Sequence, residues 1–572
     1  MNKHIFSFLG IILVILTACE PKDNNTPDLV LINGSIATMD ENIPKVEAIA
    51  IKADTIQNLG TNKSIKEMIG ENTKVIDLKG KFAMPGFIES HAHFLSLGKS
   101  KMELDLSKAA NWDEIIALIA EAAGKAQLGE WIVGRGWHQE KWDPVPEENV
   151  EGYPLHTVLS SATPYNPVIL KHASGHALFA NQYAMKLAKI DTSTENPSGG
   201  IIVRDSLKNA VGVFEEEAMA LIDNEYNKYL ELRSPEEINS KNKKMVQLAV
   251  EECLKNGITS FTDAGASFDE IDFFKEIIDS GNLPIRLNVM IYENNKILKE
   301  KIKNYKIINY GNNHLSVRAI KSFVDGALGS RGAWLFEDYY DLQNYQGLNV
   351  TPLNILKETA NIAIENGFQM CTHAIGDRGN NEMLNLYEIV FLQNKDKKDL
   401  RWRIEHAQLI NRTDIPRFAK LGVIAAMQGI HATSDAPFVS KRIGRERAKR
   451  TAYVWRKLID SGAIICNGTD APVENINTIE NYFASVTRQL SDSSAFFPEE
   501  KMTRMEALKS YTINGAYASF QDEKLGSLEI GKLADIVILT NDLTTIADEN
   551  ILKTKVETTI VGGKVLFTKN KN

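Results

Sequence analysis

Short apolar runs alternate with longer amphipathic segments through the middle of the chain, between residues 82 and 525. Runs of this kind are typical of buried parallel strands that are joined by crossover helices. The sequence predicts eight such strands, at residues 82–88, 258–261, 285–291, 317–324, 367–372, 401–405, 423–427 and 463–467. Eight β–α units predict an α/β fold of the TIM (β/α)8 barrel type, in which the chemistry lies at the carboxyl ends of the strands.

The amphipathic segments between these runs predict helices, at residues 240–256, 353–366, 411–421 and 453–461. Gly367, Gly422 and Gly462 follow the last three segments, and glycine commonly ends a helix before a strand. The connection from about residue 100 to residue 207 is too long for one β–α unit. It predicts an inserted lid region over the mouth of the barrel.

Both ends of the chain predict short strands around glycines, which indicates that the two ends pair into one small β-sandwich domain. The predicted domains are a signal peptide at 1–18, a tether at 19–28, the first part of the β-sandwich at 29–81, the barrel at 82–525 and the second part of the β-sandwich at 526–572.

The N-terminus predicts a lipoprotein. Lys3 precedes an apolar stretch at residues 5–16, which is too short to span a bilayer and is typical of a signal peptide. Residues 16–19, with the sequence LTAC, resemble a bacterial lipobox, so we expect cleavage before Cys19 and lipidation of its thiol. The mature protein would then be anchored to the membrane of the bacterial cell envelope, on the periplasmic or outer-membrane side. An ordinary cleavage site at Cys19 is the alternative.

Composition narrows the class of partner. A hydrophobic content of 43% with a net charge of -9 is ordinary for a folded enzyme and shows no nucleic-acid footprint. We therefore expect a small-molecule substrate, and the sequence leaves the oligomeric state open, with a homodimer as one option. Cys253, Cys371 and Cys466 are odd in number and widely spaced, so they predict core residues and not a disulfide framework.

Six polar side chains fall at the predicted strand ends. His91 and His93 share one face because side chains alternate along a strand, and they follow the first apolar run. The other four are Lys321, His373, His406 and Asp470. Each has an ordinary explanation alone, such as a hydrogen-bonded histidine or a helix-capping aspartate. A barrel brings these strand ends together, however, so the set predicts a metal centre.

Lys321 lies inside the fourth predicted strand. A lone ammonium group that faces a barrel interior costs several kcal/mol, whereas a neutral amine can add carbon dioxide to become a carbamate. The carbamate is an anionic ligand with two oxygens that can bridge two cations. The alternatives are that Lys321 faces outward or pairs with Asp325.

Five motifs together resemble the amidohydrolase superfamily, in particular the branch of N-substituted formamide deformylases and related hydrolases, amidohydrolase family 3. The resemblance covers residues 29–564, and its motifs lie at 84–93, 321–331, 372–377, 403–407 and 468–472. It implies two Zn²⁺ ions bridged by carboxylated Lys321. One ion would be held by His91, His93 and Asp470, the other by His373 and His406. Glu89 stands where the family usually has aspartate.

The resemblance also implies a metal-dependent hydrolase of C–N bonds other than peptide bonds, in an amide, a cyclic amide or an N-formamide-like substrate. A metal-activated hydroxide would attack the carbonyl carbon, with Asp470 as the catalytic acid and base. The alternatives are hydrolysis of esters, lactones or phosphoesters at the same site, and a lipid-anchored binding protein without catalysis.

Four residues are candidates for substrate binding: Trp137, His172 and His176 in the insert, and Arg331 after the fourth strand. Each has a structural alternative. Aromatic residues and histidines of the insert can simply pack it, and Arg331 can form an ion pair.

Overall fold

The computed structural model describes residues 26–139, 142–172, 177–197 and 200–569. The predicted signal peptide and Cys19 lie outside the described residues, as does His176. Among the residues described, no helix combines the length and the apolar character needed to cross a bilayer.

Eight parallel strands form the predicted TIM barrel, which is confirmed. In chain order they are β1 (Phe87–Ala92), β2 (Ile258–Ala266), β3 (Arg286–Ile291), β4 (Leu315–Phe323), β5 (Gln369–Ala374), β6 (Arg403–His406), β7 (Ile424–Gln428) and β8 (Ile465–Gly468). Each strand pairs with the next in parallel register. Such strands are buried on both faces, which explains their nearly continuous apolar sequences. Ile307–Asn309 adds a short antiparallel strand beside β4.

Helices connect and cover the barrel strands. They are Phe94–Ser100, Pro235–Lys255, Phe268–Asp279, Asn295–Lys301, Tyr310–Asn313, Leu353–Asn366, Asp377–Gln393, Ile415–Leu421, Gly429–Ser434, Ala436–Ile443, Arg445–Thr451, Trp455–Asp460, Thr478–Thr487, Arg504–Ser510 and Ile513–Ala518, with 3-10 turns at Ile302–Asn304 and Pro498–Glu500. Gly367 and Gly422 end their helices with φ of 67° each, in the left-handed conformation that glycine tolerates.

The first predicted strand, at residues 82–88, is wrong as a single element. Phe82–Pro85 belongs to the β-sandwich, where it pairs with Ile536–Leu539, and the barrel strand begins at Phe87. Gly86 separates the two, and a Cβ atom there would lie 2.3 Å from the side chain of Thr259. The apolar pattern is continuous because both strands are buried, so periodicity alone could not divide it.

Two sheets built from both ends of the chain form the β-sandwich. One has the order Thr55–Gly60, Ala48–Lys52, Leu29–Ile32, Lys74–Asp77, and the other has the order Lys564–Thr568, Val556–Val561, Ile536–Leu539, Phe82–Pro85, Ser35–Ala37, Lys45–Val46. Short helices lie at Asn62–Lys66 and Asp548–Lys553. The buried ion pair of Arg286 on β3 with Asp535, with two N···O distances of 2.8 Å, joins the barrel to this domain.

The insert has a sheet and a hydrophobic core of its own. Its strands run in the order Gly200–Arg204, Ala210–Glu216, Ala177–Ala180, Val168–His172, Ile132–Trp137, Leu104–Asp105, with a separate pair at Asn149–Val150 and Tyr153–Pro154. Its helices are Trp112–Lys125, Thr157–Ala162, Gln182–Leu187 and Met219–Glu231. Apolar clusters around Trp137 and around Trp131 cover the sheet.

Glu89 joins β1 to the residues after β8, where the barrel closes. Its carboxylate accepts hydrogen bonds from the backbone N–H of Thr469 (3.0 Å), from the Thr469 hydroxyl (2.8 Å) and from the N–H of His91 (3.0 Å). The N–H of Asp470 donates to the carbonyl of His91 at 2.8 Å. Together these hydrogen bonds form the seam between β1 and the residues after β8. Burial raises the pKa of Glu89 to about 7, against the effect of these hydrogen bonds. The seam therefore holds the His91 and Asp470 backbones in fixed relation.

Candidate metal centre

The six predicted metal-binding side chains converge at the carboxyl end of the barrel. Asp470 Oδ1 lies 3.3 Å from His93 Nε2 and 3.7 Å from His91 Nε2, and Lys321 Nζ lies 3.4 Å from His91 Nε2. The rings of His91 and His373 pack against that of His406, with centroid distances of 4.7 and 4.5 Å. Residues that are hundreds of positions apart in sequence thus share one cluster.

Three imidazoles of this cluster, those of His91, His373 and His406, are neutral at pH 7. Burial, reinforced by the nearby Lys321, lowers the pKa of His91 to about 4 and that of His373 to about 3. Burial and the neighbouring imidazoles hold the pKa of His406 well below its ordinary value. A neutral imidazole has a free lone pair, which is the form that binds a metal.

Lys321 faces the barrel interior and not the solvent, with only 2% of its surface exposed. Burial lowers the pKa of its amine, although the carboxylates of Glu405 and Asp470 oppose that shift. Asp325, the alternative partner, is occupied instead by the backbone N–H groups of Ile375, Gly376 and Trp334 at 2.7 to 2.9 Å.

Two acceptors that the sequence reasoning missed orient the deepest imidazoles. Glu405 Oε2 contacts His91 Nδ1, and Gln428 Oε1 lies 2.8 Å from His406 Nδ1. Arg403 pairs with both oxygens of Glu405, at 2.7 and 2.8 Å. Burial opposes ionisation of Glu405, but Arg403 and His91 lower its pKa to about 2. Acceptors of this kind fix ring orientation and leave the other nitrogen free for a ligand.

The sequence did carry a signal for the Arg403–Glu405 pair. Arg403 and Glu405 are two charges at i and i+2 of a predicted buried strand, so both occupy the same face. Opposite charges at this spacing in a strand that is predicted to be buried indicate a buried ion pair.

The donor set fits a divalent cation. Three buried atoms, His373 Nε2, His431 Nε2 and Asp470 Oδ1, have no hydrogen-bond partner among the described residues. Two groups, His91–His93–Asp470 and His406–His431–Asp470, each place their ligand atoms within 4.8 Å of one another. Nitrogen and carboxylate donors in this number suit zinc and similar ions, and a cation would satisfy atoms that the protein leaves unpaired.

His431 and Asp263 extend the cluster beyond the predicted residues. His431 lies in the helix Gly429–Ser434 directly after β7, with Nε2 3.9 Å from Asp470 Oδ2. Asp263, on β2, accepts a hydrogen bond from the N–H of Phe94 at 3.3 Å, and burial raises its pKa to about 7. A histidine four residues beyond the seventh predicted strand was the available signal for His431.

The predicted substrate-binding residues have other contacts. Trp137 is fully buried and donates from Nε1 to the carbonyl of Leu170 at 2.8 Å. His172 Nε2 lies 3.1 Å from Gln139 Oε1, also within the insert. Arg331 forms a two-point ion pair with Asp341, at 3.1 and 2.8 Å. The structure therefore gives each of these three a structural partner.

A cavity of about 380 Å³ opens beside Lys321, lined in part by Tyr292, Glu293, Phe323 and Ile355. A larger cavity, of about 1130 Å³, is lined by insert residues from Leu128 to Ala210 and by none of the six predicted metal-binding residues. The smaller one is the cavity that touches the cluster.

The chain is similar to known proteins over almost its whole length. It is 32% identical to Protein LONG AFTER FAR-RED 3 of Arabidopsis thaliana over 565 residues, covering 96% of this chain and 94% of that protein. It is 26% identical to N-substituted formamide deformylase of Arthrobacter pascens, covering 94% and 98% of the two chains. An uncharacterized metal-dependent hydrolase from Pyrococcus furiosus superposes with a TM-score of 0.72 at 25% identity, covering 90% of this chain and 100% of that one.

The family profile gives the assignment. The profile described as "Amidohydrolase family" matches residues 74–567, which include the barrel and every predicted metal-binding residue. This match argues against the alternative of a binding protein without catalysis. The chain belongs to the amidohydrolase family and is an enzyme that hydrolyses carbon–nitrogen bonds.

Proposed function

We propose that the protein is a metal-dependent hydrolase of small, non-peptide amides or cyclic amides, and that N-substituted formamides are the first class to test. The observation that carries this proposal is the unpaired carboxylate oxygen of Asp470, which lies within 4 Å of both histidines of the His-x-His motif. The name of the Arthrobacter pascens relative suggests the formamide class.

In the proposed centre, His91, His93 and Asp470 would hold one divalent cation, and His373 and His406 a second. When bound, such cations supply Lewis-acid polarisation of a carbonyl oxygen and make a water molecule more acidic. Glu405 and Gln428 keep the His91 and His406 rings oriented for this role. The low pKa values of His91 and His373 mean that no proton has to be displaced from either ring at neutral pH.

Asp470 would carry the proton. Burial opposes its ionisation, but the nearby His93 and the surrounding imidazoles hold the pKa of Asp470 well below the ordinary value, so Asp470 is a carboxylate at neutral pH. Its free oxygen would accept the proton that the attacking water loses as the new C–O bond forms. It would then donate that proton to the nitrogen as the C–N bond breaks, which releases an amine and a carboxylic acid, and the acid loses its remaining proton to solvent as it becomes a carboxylate.

We also propose that Lys321 is carboxylated. Burial favours its neutral amine, whose lone pair can bond to the carbon of carbon dioxide while the amine proton leaves to solvent. The resulting anion would lie beside His91 Nε2, between the two groups of ligands.

Amide hydrolysis is the first prediction. Protein loaded with zinc should release p-nitroaniline from formyl-p-nitroanilide or acetyl-p-nitroanilide, measured by absorbance, because the polarised carbonyl is attacked by water. Treatment with a chelator should abolish the rate and added zinc should restore it. Turnover of p-nitrophenyl acetate or a phosphoester in the absence of any amide hydrolysis would contradict the proposal and favour an esterase or phosphoesterase.

The second prediction concerns the proton carrier. Asp470→Asn keeps a ligand oxygen but loses the basic one, so it should retain bound zinc while kcat falls about 10²–10⁴-fold. Metal content by atomic emission and steady-state rates check this. Asp396→Asn, at an exposed position, is the matched control and should leave both unchanged. An Asp470→Asn enzyme with normal kcat would remove Asp470 from the role.

The third prediction concerns the carbamate. Zinc loading in ¹³C-bicarbonate should produce a carbamate carbon resonance in the NMR spectrum of the wild type, and Lys321→Met should lack it and bind less zinc. Lys398→Met, which removes an exposed amine, should retain the resonance. A wild-type protein with full zinc and no carbamate signal would show that Lys321 acts as a free amine.

We further propose that Cys19 is lipidated and delivers the chain to the cell envelope. The support is the sequence of residues 1–19, with Lys3, the apolar stretch at 5–16 and the LTAC motif. Expressed in a bacterium with labelled palmitate, the wild type and a Ser7→Ala control should both be labelled and sediment with membranes. Cys19→Ser should lose the label, and label that persists in this variant would contradict the proposal.

A further inference from the structure

His431 presents a polar atom to the centre that nothing in the described protein satisfies. Its Nε2 is buried and lacks a hydrogen-bond partner among the described residues, and it lies 3.9 Å from Asp470 Oδ2. Its ring is nearly parallel to that of His406, with an angle of 17° and a centroid distance of 6.0 Å. Leaving a buried polar atom unpaired is destabilising, so a group from outside the protein is expected to contact it.

The ring of His431 differs from those of His91 and His406 in how it is held. His91 and His406 each have Nδ1 fixed by a side-chain acceptor, Glu405 and Gln428. Among the residues described, neither ring nitrogen of His431 has such a partner. His93 and His373 likewise have no side-chain acceptor for Nδ1 among the described residues, so the assignment of His431 rests on its position. Its Nε2 is near Oδ2 of Asp470, whereas the Nε2 atoms of His91 and His93 are near Oδ1, so His431 lies on the side of the carboxylate away from the His-x-His pair.

The backbone beneath His431 is nevertheless fixed. The N–H of Gly429 donates to Asn467 Oδ1 at 3.0 Å, and the N–H of Ile430 donates to Asn481 Oδ1 at 2.6 Å. A Cβ atom at position 429 would lie 2.2 Å from Ser485 Oγ, so only glycine fits this close approach. The turn that carries His431 is therefore positioned by the buried side-chain amides of Asn467 and Asn481.

We propose that His431 is a catalytic residue that donates a hydrogen bond from Nε2 to the carbonyl oxygen of the scissile amide. This inference rests on the proposed function. As water oxygen bonds to the carbonyl carbon, the π electrons of the C=O bond move to oxygen, which becomes anionic. The N–H of His431 stabilises that charge without transferring its proton, and such donors act more strongly on the charged transition state than on the ground state.

The test compares two replacements of His431. His431→Phe keeps a ring but removes the donor, so kcat on the better nitroanilide should fall about 10²–10³-fold, with KM within about threefold. His431→Gln keeps an N–H donor and should recover at least about tenfold of that loss. Both should keep the wild-type zinc content, whereas His406→Phe, a change at a proposed ligand, should lose zinc.

A binding measurement separates this inference from the proposed function. Phenylphosphinate carries tetrahedral anionic oxygens, and calorimetry should show it binding at least about tenfold more weakly to zinc-loaded His431→Phe than to the wild type or to His431→Gln. This result is expected whether the natural substrate is an amide or an ester. Loss of zinc in His431→Phe would make His431 a ligand and overturn the inference, as would unchanged kcat or unchanged phosphinate affinity.

Discussion

Desolvation of polar groups at the carboxyl end of the barrel is the constraint on which the rest of the site depends. Burial keeps the imidazoles of His91, His373 and His406 neutral and lowers the pKa of Lys321. The charge of Glu405 is balanced by Arg403, but one carboxylate oxygen of Asp470 has no hydrogen-bond partner among the described residues. A buried carboxylate without a compensating charge costs several kcal/mol. A cation at this position would remove that cost, so the burial of the cluster favours metal binding.

A cluster of buried polar groups without partners requires a backbone that cannot rearrange to expose or pair them. His406 and Asp470 both adopt left-handed conformations, with φ of 70° and 60°, and each such residue costs about 1–3 kcal/mol. The Asp470 conformation persists because Glu89 binds the preceding residue, Thr469, and because the Asp470 N–H bonds to His91. The seam between β1 and β8 thus closes the barrel and also holds the His-x-His motif next to Asp470. A longer glutamate in place of the family's usual aspartate still reaches across it.

The parts of the site that could be predicted from the sequence are the side chains at the carboxyl ends of the barrel strands. Parallel strands in a closed barrel bring His91, His373, His406 and Asp470 together whatever the details, because only the carboxyl ends converge. The division of residues 82–88 between two domains was not predictable, because a buried strand is apolar in either. From the sequence, Trp137 and Arg331 are candidates for substrate binding. In the structure Trp137 instead packs inside the insert, where it donates a hydrogen bond, and Arg331 forms an ion pair. His431 was not predicted as a site residue because it lies in a helix after its strand, where no periodic pattern indicates the direction of a side chain.

The hydrogen bonding of buried polar side chains differs between the insert and the carboxyl end of the barrel. In the insert, Trp137 Nε1 and His172 Nε2 have partners inside the same domain, and two apolar clusters cover its sheet. At the barrel end, His373 Nε2, His431 Nε2 and Asp470 Oδ1 are buried and have no hydrogen-bond partner among the described residues. Orientation of a substrate depends on unpaired polar atoms, since paired atoms gain little by exchanging one partner for another. The polar atoms at the barrel end are therefore the ones available to contact a ligand. The cavity beside Lys321, lined in part by the aromatic rings of Tyr292 and Phe323, adjoins them.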